Sequence, residues 1–255
     1  MVCTIPYYFL VPFFLCWGSF LNVLAYRLIQ GQSITKPRSS CPKCKHIISW
    51  YDNIPVLSWL LLQGTCRNCK QHISFLYQCI EILTAIILSL LYLYLPHHHF
   101  FAYFIFFSAL IVTIRSDLET MLISRFMTVY LVPVGFFMSA YALLPISLPD
   151  SILGSLFGYS FLWIINRIFK YFRGIDGIGE GDFDLLLFIG SFTGILGGWF
   201  SITIGSILGC IYGIAILFLR QQNNVQSLQI IKIPFGPFLA CGAIIFVFTF
   251  QFFLA

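Results

Sequence analysis

Four cysteines in two matched pairs carry the first chemical signal in this sequence. Cys41-Pro-Lys-Cys44 and Cys66-Arg-Asn-Cys69 are C-x-x-C knuckles, set about 21 residues apart, close to the spacing of a structural zinc site. A two-residue gap lets both thiolates of one knuckle reach a tetrahedral ion. Lys43, Lys45, Arg67 and Lys70 offset the negative charge of a four-thiolate shell. Two disulfides are the competing account, uncommon on the reducing side of a membrane. His46 and His72 stand beside the knuckles, but four thiolates already close the shell and leave no position for a substrate. The expected role is therefore structural: folding a loop too short and polar to build its own core. The other five cysteines, Cys3, Cys16, Cys79, Cys210 and Cys241, sit in or beside apolar runs and read as small buried hydrophobes.

Carboxylates are the second signal. There are nine, and an ionisable group costs about 2.5–3.5 kcal/mol at the centre of a spanning helix. Asp52 and Asp150 fall in turns, where solvated acids are ordinary. Glu81 lies inside an apolar run and must face the bundle or a wet cavity, in a functional or a structural pairing. The others form two groups, Asp117 with Glu119, and Asp176, Glu180, Asp182 and Asp184. Gly179-Glu180-Gly181-Asp182 permits close backbone approach, and an acid there also suits a helix N-terminus. Helix capping for Asp182 and a solvated helix end for Asp117 thus stand beside a catalytic reading. In that reading two carboxylates at one depth share a proton, one activating water and the other protonating a leaving group. Positions two apart on a helix point about 200° from each other, so Asp182 and Asp184 do not serve one site together. No serine–histidine or cysteine–histidine set competes with the acids.

The elements that must position these groups are membrane spans. The chain has 255 residues, 59% hydrophobic and 9% charged, with a mean hydropathy of +0.91, whereas soluble domains carry about 25% charged residues. That excludes a water-soluble globule. Apolar runs predict about eight helices, over 2–28, 73–95, 99–116, 121–146, 150–168, 183–199, 202–219 and 235–254. The weakest division is at Gly197, Gly198 and Trp199. With eight, every basic residue lies in alternate loops: Arg27 to Lys70, Arg115 and Arg125, Arg167 to Arg173, and Arg220 with Lys232. Those loops are cytoplasmic by the positive-inside rule, and both acid groups share that face. No basic residue precedes the first run and no A-x-A site follows it, so a retained first helix with an external N-terminus is expected. His97, His98 and His99 read as a polar external turn. The net charge of +5 marks topology; no basic stripe interleaved with aromatics suggests nucleic acid.

The ordered set of motifs resembles the type IV prepilin peptidase family (prepilin leader peptidase/N-methyltransferase), of the GxGD class of intramembrane aspartyl proteases. It runs through Gly18-Ser19-Phe20-Leu21-Asn22-Val23, Tyr26-Arg27, Pro37 to Cys44, Tyr51 to Trp59, Cys66 to Cys69, Asp117, Gly179 to Phe183, and Pro234 to Ala240. The resemblance implies an all-α polytopic protein of about eight transmembrane helices. It divides the chain into a first transmembrane helix over 1–28, a cytoplasmic zinc-binding loop over 29–72 and a membrane peptidase domain over 73–255.

It further implies that Asp117 and Asp182 are the catalytic pair. Their substrates would be type IV prepilins or pseudopilins, cut at the cytoplasmic face of the bacterial inner membrane. Bifunctional members also methylate the new N-terminus with S-adenosylmethionine. No Rossmann-like glycine fingerprint marks that cofactor's site; Asn22, Arg27 and Glu81 are the candidates for the methylation step. Two departures stand out: Asp184 where the family commonly has lysine, and Ile123-Ser124-Arg125 where an Ile/Leu-Pro step is usual. The alternative from another class is a non-enzymatic transporter or assembly scaffold with a zinc-stabilised loop.

Overall fold

The computed structural model describes residues 7–36, 38–41, 43–222 and 233–253; Cys3, Pro37, Pro42 and Lys232 lie outside them. The described residues are α-helical, with no strand beyond isolated bridges. Helices α1 (Tyr7–Ile29), α3 (Leu76–Tyr94), α4 (His97–Thr120), α6 (Leu148–Arg173) and α7 (Glu180–Gln222) contain apolar stretches long enough to cross a membrane. A short helix α2 (Leu57–Leu61) lies in the cysteine loop, and α5 (Val132–Ala140) and α8 (Gly236–Phe253) complete the set. This is an all-α, multi-pass membrane protein. Large apolar side chains are exposed along the spans, among them Leu153, Leu156, Ile164, Ile207, Ile211 and Leu217, as a lipid-facing surface requires.

Two compact units meet in the chain at Arg115 and Ser116. In the first, α1 packs on α3, and the Trp17 indole donates to Ser108 Oγ of α4 at 2.9 Å. In the second, α6 and α8 both pack on α7. Ser147 caps α6 by accepting from the Asp150 N–H, Lys170 and Arg173 occupy the last turn, and Gly174 closes it at φ 74°, each the residue type that terminus favours. The α6 face towards α7 is small: Ser151, Gly154, Ser155 and Gly158 are buried. A Cβ on Gly154 would stand 2.6 Å from the Gly190 carbonyl oxygen, so the two backbones touch, the packing by which membrane helices associate.

Three expectations are adjusted. A continuous helix of the 43 residues of α7 would reach about 65 Å, roughly twice the hydrocarbon thickness, and the element is broken. The break falls at Gly194 (φ 71°, ψ −171°) rather than at Gly197–Trp199, at a left-handed φ that glycine alone adopts freely, where the backbone lies against Gly154. The run 121–146 is helical only from the 3-10 turn at Val129 through Ala140; Met121 and Ala142, both at positive φ, bound it. His97, His98 and His99 open α4 instead of forming a turn.

Candidate active site and thiol cluster

The two knuckles of the first unit repeat one local geometry. The Cys41 N–H donates to the His46 carbonyl and the Cys66 N–H to that of Gln71; the Cys41 and Cys66 carbonyls accept from the Lys45 and Lys70 N–H groups at 2.9 and 3.0 Å. Lys45 and Lys70 take φ of 57° and 56°, which turns each chain back. Antiparallel bridges Ser40–Ile47 and Thr65–His72 close the two bases. Lys43 Nζ donates to Gln71 Oε1 at 2.8 Å and Asn68 Nδ2 to Cys44 Sγ at 3.7 Å, tying knuckle to knuckle.

All four thiols are free, and their Sγ atoms lie within 4.8 Å of one another. Cys41 Sγ to Cys69 Sγ is 3.7 Å; four sulfurs about 2.3 Å from a central zinc sit about 3.8 Å apart. The donor set therefore fits one tetrahedral ion. Backbone N–H groups lower the Cys66 thiol, and the His46 backbone together with Asn68 lowers Cys44 to about 6. Between the knuckles, Arg67 grips Asp52 with Nε and Nη2 at 2.7–3.1 Å, holding its carboxyl below the usual range. Trp59 packs on Phe75 and donates to the Ile73 carbonyl at 3.3 Å.

Glu81 is buried in α3. Its partners are hydrogen-bond donors: the Val56 N–H reaches Oε2 at 2.9 Å, and the Ser19 side chain bonds it as well. Asn22 bridges two neighbours, donating to the Tyr77 carbonyl at 3.0 Å and accepting from Arg115 Nε at 3.1 Å.

In the second unit, Asp117 occupies the last turn of α4 and is 5% exposed, while Asp182 stands in the first turn of α7, half-buried. Asp117 Oδ2 accepts from the Gly236 N–H at 3.0 Å, and the Asp182 N–H donates to the Gly179 carbonyl at 3.1 Å. Ile123 packs against two glycines of this site, Gly181 and Gly236. A Cβ on Gly181 would meet Ile123 Cβ at 2.9 Å, and one on Gly236 would meet Asp117 Oδ2 at 2.8 Å and Ile123 Cδ1 at 3.2 Å. Glycine at 181 and 236 is thus a requirement of close approach. The sequence reading assigned Gly236 no role; its only signal was the Pro234–Ala240 motif.

The two departures prove to be partners. Arg125 Nε donates to Asp184 Oδ2 at 3.0 Å and its Nη2 to Glu180 Oε2 at 3.3 Å. Asp184 therefore turns to the loop after α4, and an acid is stable there because arginine faces it. Asp176 serves the approach to α7: Lys170 bonds it at 2.8 Å and keeps its carboxyl low, while Asn166 Oδ1 accepts from the Gly177 and Ile178 N–H groups.

A polytopic helical membrane protein that places carboxylates at the ends of two helices and carries a four-thiol loop is a narrow class. Residues 13–95 match the Bacterial Peptidase A24 N-terminal domain and residues 104–214 the Type IV leader peptidase family. A prepilin leader peptidase/N-methyltransferase of Aeromonas salmonicida is 33% identical over 89% of this chain and 85% of its own length. Those of Pectobacterium carotovorum and Pseudomonas aeruginosa are 31% and 30% identical, over 89% and 94% of this chain and 87% of each relative. No solved structure matches. The chain belongs to the type IV leader peptidase family, and it is an enzyme, a peptidase.

Proposed function

We propose that this protein is an aspartyl endopeptidase of the bacterial inner membrane. It removes the leader from type IV prepilins or pseudopilins at the cytoplasmic face and then methylates the new N-terminal residue. The observation that carries the peptidase reading is that Ile123 lies against both Gly181, beside Asp182, and Gly236, whose N–H holds Asp117, which brings the ends of two separate helices to one place. The names of the relatives supply the substrate class and the second activity. The distribution of lysine and arginine supports the cytoplasmic assignment.

In the cleavage step one carboxylate, ionised, takes a proton from water as the water oxygen attacks the scissile carbonyl. The other, protonated, gives its proton to the leaving amide nitrogen as the C–N bond breaks. Two like charges in close range favour this singly protonated pair. The Gly236 N–H holds Asp117 in place, and the turn at Gly179 fixes the backbone from which Asp182 projects. Cys41, Cys44, Cys66 and Cys69 hold zinc, whose contribution is structural. S-adenosylmethionine supplies an electrophilic methyl group when bound.

The test is a reconstituted prepilin cleavage assay with Asp117→Asn and Asp182→Asn made separately. Each variant should retain a wild-type thermal midpoint and lose cleavage by 10³-fold or more, on the order of what acid–base pairs contribute. Mass spectrometry of the pilin N-terminus reads the cut position and the added methyl group together. Cleavage at the wild-type rate by either variant would overturn the dyad.

A further inference from the structure

The first unit contains a cavity of about 420 Å³ lined by residues between Cys16 and Pro55, within the range of small-ligand pockets, about 300–1,000 Å³. Its charged lining residues are Arg27 and Arg38, both cations, and no carboxylate lines it. One wall is a single face of α1: Cys16, Phe20, Val23 and Arg27 stand four, three and four residues apart, the spacing of a helical stripe. That stripe runs about 16 Å at 1.5 Å per residue. It continues at the same spacing to Phe13 and Phe9, outside the cavity, and Phe9, Phe13, Cys16 and Phe20 are all exposed. On a helix long and apolar enough to cross a membrane, an exposed apolar track meets acyl chains.

We propose that this cavity seats the head group of an anionic phospholipid, one of whose chains lies along the α1 track. The lining separates the two chemistries of such a ligand. Cys16, Phe20 and Val23 form the end towards the span, and Arg27, in the last turn of α1, and Arg38 belong to the loop end. Arg38 is exposed and makes no ion pair among the described residues; a guanidinium so placed takes two phosphate oxygens at once. Ser19, Thr35, Ser39 and Asn53 supply neutral donors and acceptors for head-group hydroxyls. A choline or ethanolamine head group is the poorer match, since no carboxylate in the lining faces its ammonium. Free phosphate would leave the apolar half of the lining and the track beyond it unused. Trp50, 73% exposed in the lining, is a residue type that settles at the level of lipid head groups.

The fold holds the cationic end in place. Arg27 is buried, and its Nη1 donates to the Ser33 and Ile34 carbonyls at 3.0 and 2.7 Å, which draws the chain back over the end of α1 and brings Arg38 to the same cavity. Ser39 and Ile48, both in the lining, are joined by a backbone hydrogen bond of 2.8 Å beside the first knuckle. Trp50 and Asn53 are the two ends of one 3-10 turn. The Glu81 carboxylate, outside the lining, is engaged by Ser19 and by the Val56 N–H. A lipid seated here touches α1, the segment leading into the first knuckle and the turn between the knuckles, so its binding free energy adds to the stability of that arrangement.

The test titrates the purified full chain in neutral detergent with phosphatidylglycerol and with phosphatidylcholine of the same acyl chains. Native mass spectrometry counts bound lipid, and the rise in thermal midpoint reports its effect on the fold. The wild type should bind phosphatidylglycerol at least about tenfold more tightly than phosphatidylcholine, and Arg38→Gln should lose about tenfold for phosphatidylglycerol alone, the scale of one charge-assisted contact. Val23→Phe, which narrows the cavity with an apolar group, should weaken phosphatidylglycerol similarly; zinc content reports that each variant keeps its loop folded. Equal affinity of the wild type for the two lipids overturns the proposal. So does unchanged phosphatidylglycerol affinity in either folded variant. Displacement of the lipid by excess inorganic phosphate makes the cavity a soluble-anion site, and a raised KM for prepilin with lipid affinity unchanged in Arg38→Gln gives it to the protein substrate; either result overturns the lipid assignment.

Discussion

Replacing Gly236 by alanine isolates the positioning of the carboxylates from the stability of the fold. The added Cβ would lie 2.8 Å from Asp117 Oδ2 and 3.2 Å from Ile123 Cδ1, while ordinary carbon–carbon contacts are about 3.5–4.0 Å. The backbone is constrained as the opening residue of α8, so the side chain of Asp117 gives way by several tenths of an ångström. Moving a terminal carboxylate is cheap for folding, and position 236, at the opening of α8, makes little demand on helix propensity. Thermal midpoint should therefore change little. Activity should not be spared: the 3.0 Å bond from the Gly236 N–H lengthens or breaks, and a hydrogen bond to a charged group contributes about 1.5–3 kcal/mol. A fall of about 10- to 100-fold in kcat is expected, consistent with the sensitivity of catalysis to sub-ångström misplacement. The assay is single-turnover cleavage of a prepilin in liposomes, with zinc content as a folding control. Wild-type kcat in Gly236→Ala would refute the claim that this N–H sets the carboxylate.

Arg125→Ala should lower stability by at most about 1 kcal/mol and depress cleavage, because it strips an exposed, solvent-screened partner from the buried Asp184; Asp184→Asn in the same background should recover part of the loss in a double-mutant cycle. Purified protein should contain about one zinc per chain, and Cys66→Ser should abolish it, measured by plasma emission; iron or a disulfide in its place would contradict the donor-set argument. The Asp52 carboxyl is held below its ordinary value by Arg67. Its contribution to the loop is fully present above the unfolded carboxylate range and is lost as pH falls through the lowered folded value. Arg67→Ala should flatten that acid limb, followed by protease sensitivity of the loop as pH falls below the ordinary carboxylate value of about 3.9.

The parts legible in the sequence were those whose partners are local or whose residue types are rare. The knuckles announce themselves because two residues fix the separation of each thiol pair. The acids were conspicuous because the chain has nine in total, so Asp117 and Asp182 were candidates before any geometry was known. What stayed hidden was set by tertiary contact. Gly190, Gly194, Gly197 and Gly198 are indistinguishable as letters, and of the four only Gly194 takes the left-handed φ of 71° that breaks the helix. Glu81 advertised a need for partners, but those partners are a backbone amide and a serine that carry no charge signal. Arg125 and Asp184 looked like two independent oddities until side-by-side placement made them one ion pair.

The twin knuckles have a consequence for biogenesis. Each holds two sulfurs, and the second emerges from the ribosome only after the stretch from Trp50 to Leu61 has been made. Metal capture therefore staples both ends of that stretch in one event, late in the synthesis of the loop and after the first helix is available for insertion. A cell starved of the ion would accumulate chains with inserted helices and a gaping first loop, so the supply of a trace element would meter how much finished enzyme the membrane receives.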